Sequence, residues 1–172
     1  MELRKGQLRD LDRYYALIET DYKAGEVISL FSLRRAMLNG RADYWLLHDP
    51  ESGMDIGYAL VLVKNLYDYA VLKYIGVFPW YRGRGFGAEL MREVNKQYAD
   101  AQGIVAELPV YGGEEDRARK LRKYFGRFGY VLAACPHELN GTKAEVLVKP
   151  QKGTEKIEPV AHRIIANAYY RL

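Results

Sequence analysis

The sequence predicts an α/β (α+β) fold, a central sheet flanked by helices, and three observations carry that expectation. First, an apolar run from Ala70 to Phe78 enters the glycine-rich stretch Arg82-Gly83-Arg84-Gly85-Phe86-Gly87 and leaves it as a helical pattern from Ala88 onward. Strand, tight turn and helix in that order place unpaired first-turn N–H groups and the positive end of a helix dipole at the turn, which makes an anion site. Second, Ile56 to Lys64 and Tyr69 to Phe78 are apolar on both faces, as strands in the middle of a doubly covered sheet are. Third, segments before and after this pair repeat their apolar residues at helical spacing.

Taken in order, Leu3 to Lys5 is short enough for an edge strand. Asp10 to Tyr22 carries Leu11, Tyr14, Tyr15, Leu17 and Ile18 at helical spacing, and Ser29 to Asn39 carries Leu30, Phe31, Leu33, Met37 and Leu38 before an Asn39-Gly40 stop. Asp21 to Val27 between them reads as a polar loop. Tyr44 to His48 is a strand, closed by the turn Asp49-Pro50-Glu51-Ser52-Gly53. After the glycine stretch, Leu90, Met91, Val94, Tyr98 and Ala101 share one helical face, and Gly103 is expected to end that helix. Ile104 to Tyr111 is a strand containing Pro109; with Pro79 at the end of the preceding strand, both strands should lose pairing near their C-terminal ends and splay into a wedge. Glu114 to Gly126 is a charged helix, and Tyr130 to Cys135 and Ala144 to Lys149 are the last strands, separated by the Asn140-Gly141 turn signal. Residues 1–150 thus read as one domain; 151–172 read as a linker, Gln151 to Lys156, and a C-terminal helix carrying Ile157, Val160, Ala161, Ile164, Ile165, Ala168 and Leu172, with Pro159 near its start. That helix is expected to pack on its own domain, a homodimer contact being the alternative.

Composition narrows the class. A chain of 172 residues with 49% hydrophobic and 28% charged residues is ordinary for a globular domain with a sizeable core. The net charge of +4 is mild and dispersed, which suits an anionic cofactor better than a nucleic-acid groove, so no nucleic acid is expected as a partner. No signal-peptide pattern and no membrane-length apolar run occur, which makes a cytoplasmic protein without a membrane partner the expectation. Cys135 is the single cysteine, so an internal disulfide is excluded, and His48, His137 and His162 share no ligand spacing; no metal is expected.

The glycine stretch fits two spacings. Gly83-x-Gly85-x-x-Ala88 satisfies a dinucleotide fingerprint with Glu107 about 20 residues on, yet Pro79-Trp80-Tyr81-Arg82 separates the strand from the first glycine. Arg82-x-x-Gly85-x-Gly87, inside Tyr74 to Gly87, resembles the R/Q-x-x-G-x-G/A signature of the GNAT superfamily of acyl-CoA-dependent N-acyltransferases. Tyr124-Phe125-Gly126-Arg127-Phe128-Gly129-Tyr130 is similar to that family's fourth-helix ending. The resemblance covers roughly residues 1–150. It implies the GNAT fold: a mixed, mostly antiparallel sheet of about six to seven strands, splayed between strands four and five, with about four flanking helices, to which this chain adds a C-terminal one.

By resemblance, acetyl-CoA is the co-substrate. Its pyrophosphate would lie on Arg82, Gly83, Arg84, Gly85, Phe86 and Gly87, and its thioester on backbone groups of Ile75, Val77 and Phe78. The acceptor would be a primary amine, either of a small molecule or of a protein N-terminus or lysine, attacking directly. A lysine-like amine costs roughly 4 to 5 kcal/mol to deprotonate at neutral pH, so a general base is useful. Glu107 is the candidate base, against a plain surface carboxylate, because Lys73 stands where some members carry a Glu. The position of the family's thiolate-protonating Tyr is Phe125, which has no proton to give and is expected to line the acetyl-CoA site instead; Tyr124 beside it is the candidate acid, against a core or surface aromatic, with Tyr81 and Tyr111 as weaker alternatives. The acceptor site would be walled by the loop between the first two helices and the last hairpin, with Asp21, Glu26 and Glu138 as nearby acids. A non-catalytic acyl-CoA sensor is the alternative that Lys73 and Phe125 leave open.

Overall fold

The computed structural model describes residues 1–152, 161–170 and 172. In chain order the elements are β1 (Glu2–Lys5), α1 (Leu8–Asp21), α2 (Leu30–Leu38), β2 (Ala42–Asp49), β3 (Met54–Leu62), β4 (Tyr69–Val77), α3 (Phe86–Gln97), β5 (Gly103–Pro109), α4 (Glu115–Gly126), β6 (Val131–Ala133), β7 (Glu138–Leu139), β8 (Thr142–Pro150) and α5 (Ala161–Tyr170). Short 3-10 turns cover Ala24–Glu26 and Pro79–Tyr81. The sheet runs β1-β2-β3-β4-β5-β8-β6, with β7 paired to β8, and only β4 and β5 are parallel.

Strand alternation divides the core in two. Leu60 and Leu62 of β3 face Leu11 and Ile18 of α1, Leu33 of α2 and Ile164 and Ile165 of α5. Ala59 and Val61 of the same strand face Leu90, Met91 and Val94 of α3 and Ala118 and Phe125 of α4. Helices α1, α2 and α5 therefore cover one face, and α3 and α4 the other, which is why β3 is apolar on both faces from Ile56 onward. The side chains of Ile164 and Ile165 are buried in the chain's own core, each burial stabilising by about 1.5–3 kcal/mol. Ile157, Pro159, Val160 and linker residues 153–156 lie outside the described residues.

Three details differ from the sequence expectations. Among the described residues the sheet has eight strands, one more than expected, because the two-residue β7 is too short to show a period. Helix α3 ends at Gln97, and Gly103 instead begins β5, where a Cβ would stand 2.7 Å from the Tyr69 ring and 2.9 Å from the Lys149 carbonyl. The wedge is real but the prolines do not open it. Parallel pairing of β4 with β5 runs only from Tyr69↔Gly103 to Leu72↔Ala106, while the β3 partners jump from Leu60↔Tyr74 to Val61↔Leu72. Lys73 is therefore the extra residue of a β-bulge, and bulges bend the strand that carries them. Pro109 still pairs with Ala144 of β8, so it holds its own side of the sheet while β4 turns away.

Candidate active site

The glycine stretch forms the entry to α3. Gly83 (φ 78°) and Gly85 (φ 84°) lie in the left-handed region, which Gly adopts without the Cβ penalty of other residues. Gly85 is the N-cap, and the amides of Ala88 and Glu89 both return to its carbonyl, which leaves the preceding first-turn amides without helical partners. Arg84 is exposed, whereas Phe86 sits edge-on to Tyr81 and packs on the core. Arg82 turns away from the loop amides: its Nε donates to the Val77 carbonyl at 2.9 Å, and its Nη2 to Asp21 at 2.5 Å. The other Asp21 oxygen accepts from the Tyr58 hydroxyl at 2.8 Å. Asp21 is thus an anchor between α1 and the loop.

Where β4 and β5 part, a cavity of about 360 Å³ is lined by Ile75, Val77, Gly87, Leu108, Tyr124 and Phe125 among others. One edge of β4 faces it. The Phe78 amide donates to the Ile56 carbonyl at 2.9 Å, which makes Phe78, Gly76 and Tyr74 the ladder-bonded positions toward β3. The peptide groups of Ile75 and Val77 consequently point the other way, toward the gap. The Tyr22 hydroxyl fills the Ile75 position, accepting its N–H at 2.9 Å and donating to its carbonyl at 3.0 Å. Burial, above all, raises the Tyr22 pKa and keeps that proton in place.

At the far side of the cavity, Phe125 is buried edge-on against Tyr130 and adjoins Tyr124. Tyr124 leans over the loop: a Cβ on Gly87 would come within 3.3 Å of its hydroxyl. Glycine at 87 thus makes room for that oxygen at the start of α3. Desolvation raises the Tyr124 pKa, with Arg127 and Arg92 acting weakly against it, so the phenol is protonated throughout the neutral range.

A second cavity of about 400 Å³ shares Glu26, Lys73, Glu107 and Leu139 with the first and extends to Gly25, His137, Glu138, Asn140, Ile165 and Tyr169. Its walls are the loop between α1 and α2, the β7–β8 hairpin and α5. The Glu107 side chain is only 4% exposed, and both of its oxygens are engaged. Oε1 lies 2.6 Å from His137 Nε2, and Oε2 accepts from the Tyr169 hydroxyl, with Lys73 Nζ at 3.9 Å. Desolvation lowers the Lys73 pKa against the opposing pull of Glu107 and Glu26. Glu26 is buried and accepts from Tyr111 at 2.5 Å, while Glu138 is exposed at the rim.

The structure therefore brings together Ile75, Val77, Gly87, Tyr124, Phe125 and Glu107, while the amide of Phe78 is committed to β3. Sequence reasoning missed Tyr22, His137 and Tyr169. His137 alone had a signal, since it opens the hairpin that already walled the acceptor site; the other two meet the site only through tertiary packing. Cys135 is half-buried against the core on the α1 side of the sheet. Among the described residues, no group of three or more His, Cys, Asp or Glu could hold a metal ion, and no helix is long and apolar enough to cross a membrane.

A bulged, splayed sheet with a glycine-capped helix at the mouth of its gap defines an acyl-CoA-dependent acetyltransferase fold. The family model of the acetyltransferase (GNAT) domain matches residues 40–132, more than half of the chain, and the chain belongs to that family. Among solved structures, a GNAT-family protein from Bacteroides thetaiotaomicron superposes with a TM-score of 0.77 at 16% identity, covering 100% of this chain and 99% of the other. A spermidine N-acetyltransferase from Vibrio cholerae, in complex with CoA and spermine, superposes with a TM-score of 0.66 at 17% identity, covering 87% and 95%. No curated protein sequence matches the chain.

Proposed function

We propose that the chain moves an acetyl group from acetyl-CoA to a primary amine of a small molecule, by direct attack in a ternary complex. The observation that carries this reading is the pair of cavities that meet at Lys73 and Glu107, where β4 and β5 separate. The thioester lies in the first cavity against Ile75 and Val77. The pyrophosphate lies on the amides from Gly83 to Gly87 with Arg84 beside it, and Arg82 holds the loop through Val77 and Asp21. The amine enters from the second cavity, where Glu26 and Glu138 favour a cationic molecule. The likeness to a spermidine N-acetyltransferase supports an amine acceptor of that size.

Tyr124 supplies the proton for the departing thiolate, since its hydroxyl overhangs the loop and stays protonated. Glu107 belongs to the proton-accepting side of the reaction. Steady-state kinetics with acetyl-CoA and a panel containing spermidine, tyramine and lysine test the reading. Intersecting double-reciprocal lines are expected; parallel lines, the mark of a covalent acyl-enzyme, overturn it.

A further inference from the structure

Glu107 was the carboxylate expected to act as base, but both its oxygens are occupied, by His137 and by Tyr169 of α5. His137 differs. Its Nε2 is held by Glu107, whereas Nδ1 has no hydrogen bond among the described residues and is not one of the partnerless side-chain atoms sealed from solvent. The ring lines the second cavity, the one assigned to the acceptor. A carboxylate that fixes one imidazole nitrogen as N–H leaves the other with a lone pair, which is the arrangement of an oriented base.

We propose that His137 Nδ1 takes the proton from the incoming ammonium, and that Glu107 and, through it, Tyr169 are positioning residues; this rests on the acetyltransferase reading above. The charged and titratable groups that line the cavity with the ring are Lys73 from β4, Glu107 from β5, Glu138 next along the hairpin, Glu26 from the 3-10 turn and Tyr169 from α5. In the step, an ammonium N–H bond breaks to Nδ1, and the freed lone pair forms the C–N bond as the carbonyl pair moves to oxygen. Return of that pair breaks the C–S bond. The thiolate takes the Tyr124 proton, Tyr124 recovers one from the new amide nitrogen, and His137 releases its own to solvent. The balance is one amide, one thiol and one proton.

The test compares the pH dependence of kcat/KM for spermidine in the wild type, His137→Gln and His137→Ala. In the wild type, kcat/KM is expected to rise with pH and level off at a plateau. The variants should fall about 100-fold there, within the usual range for losing a general base, and should climb with unit slope toward the amine's own titration. Added imidazole should restore His137→Ala at least tenfold. A His137→Gln enzyme that keeps the plateau and stays within threefold of wild type overturns the proposal and leaves the acetyltransferase reading standing. A wild type that binds acetyl-CoA and releases no CoA with any amine overturns both. Should neither variant fold, wild-type protein carbethoxylated at His137, the site located by mass spectrometry, serves instead: full activity overturns the proposal, and loss reversed by hydroxylamine supports it.

Discussion

The Tyr22 hydroxyl closes both the N–H and the C=O of Ile75, at 2.9 and 3.0 Å, on the edge of β4 that faces the gap. A residue at the end of α1 thereby satisfies the two backbone groups that the bulge at Lys73 deprives of a neighbouring strand.

Tyr22→Phe leaves a part-buried donor and acceptor without their partner and is expected to destabilise the protein by about 1 kcal/mol. If the cofactor arm lies on this edge, saturating acetyl-CoA should narrow the difference between variant and wild type. Thermal melts with and without acetyl-CoA check this; an undiminished gap would place the arm elsewhere.

The glycine stretch makes its own prediction. Gly85→Glu adds a carboxylate at the start of α3 and a side chain at φ 84°, and should abolish acetyl-CoA binding by calorimetry. Gly85→Ala separates strain from charge. It costs about 1–2 kcal/mol of stability and retains measurable binding.

For Tyr124, the expected signature of Tyr124→Phe is a fall in kcat of about 10²-fold with the acetyl-CoA Kd unchanged within twofold. The proton donor must be protonated, and burial raises its pKa, so loss of this proton should bring the wild-type rate down on the alkaline side, above the ordinary tyrosine range. The variant should lose that alkaline limb. An unaltered profile would remove Tyr124 from the mechanism.

A last prediction concerns stability away from the site. Asp55 is buried, which by itself would raise its pKa, but hydrogen bonds from Arg4 at 2.9 and 2.7 Å, with His48 and Tyr14, outweigh burial and hold it below the usual carboxylate range. Its folded pKa is depressed, so its contribution to stability is complete above the unfolded value of about 3.9 and is lost as pH falls through the folded one. Asp55→Asn should cost about 1–3 kcal/mol at neutral pH, since Arg4 is partly exposed and keeps Asp10, and should flatten the acid-unfolding curve, measured by urea denaturation at stepped pH.

Local rules in the sequence determined much of this protein. Two-sided apolar runs specified β3 and β4, helical spacing specified α1 to α4, and Arg82 to Gly87 specified a glycine-capped turn into α3, because each depends on residues a few positions apart. Even the site of the wedge was legible, from Pro79 and Pro109, although its cause was not: a bulge at Lys73 is a matter of register between β3 and β4, which residue types in one strand do not disclose. Only the tertiary structure decided the partners of Glu107. His137 lies 30 residues and Tyr169 62 residues further along the chain, and they meet because the hairpin and α5 close over one face of the sheet. Contacts at such separation follow from packing, and packing is what turned an isolated carboxylate into the support of a histidine.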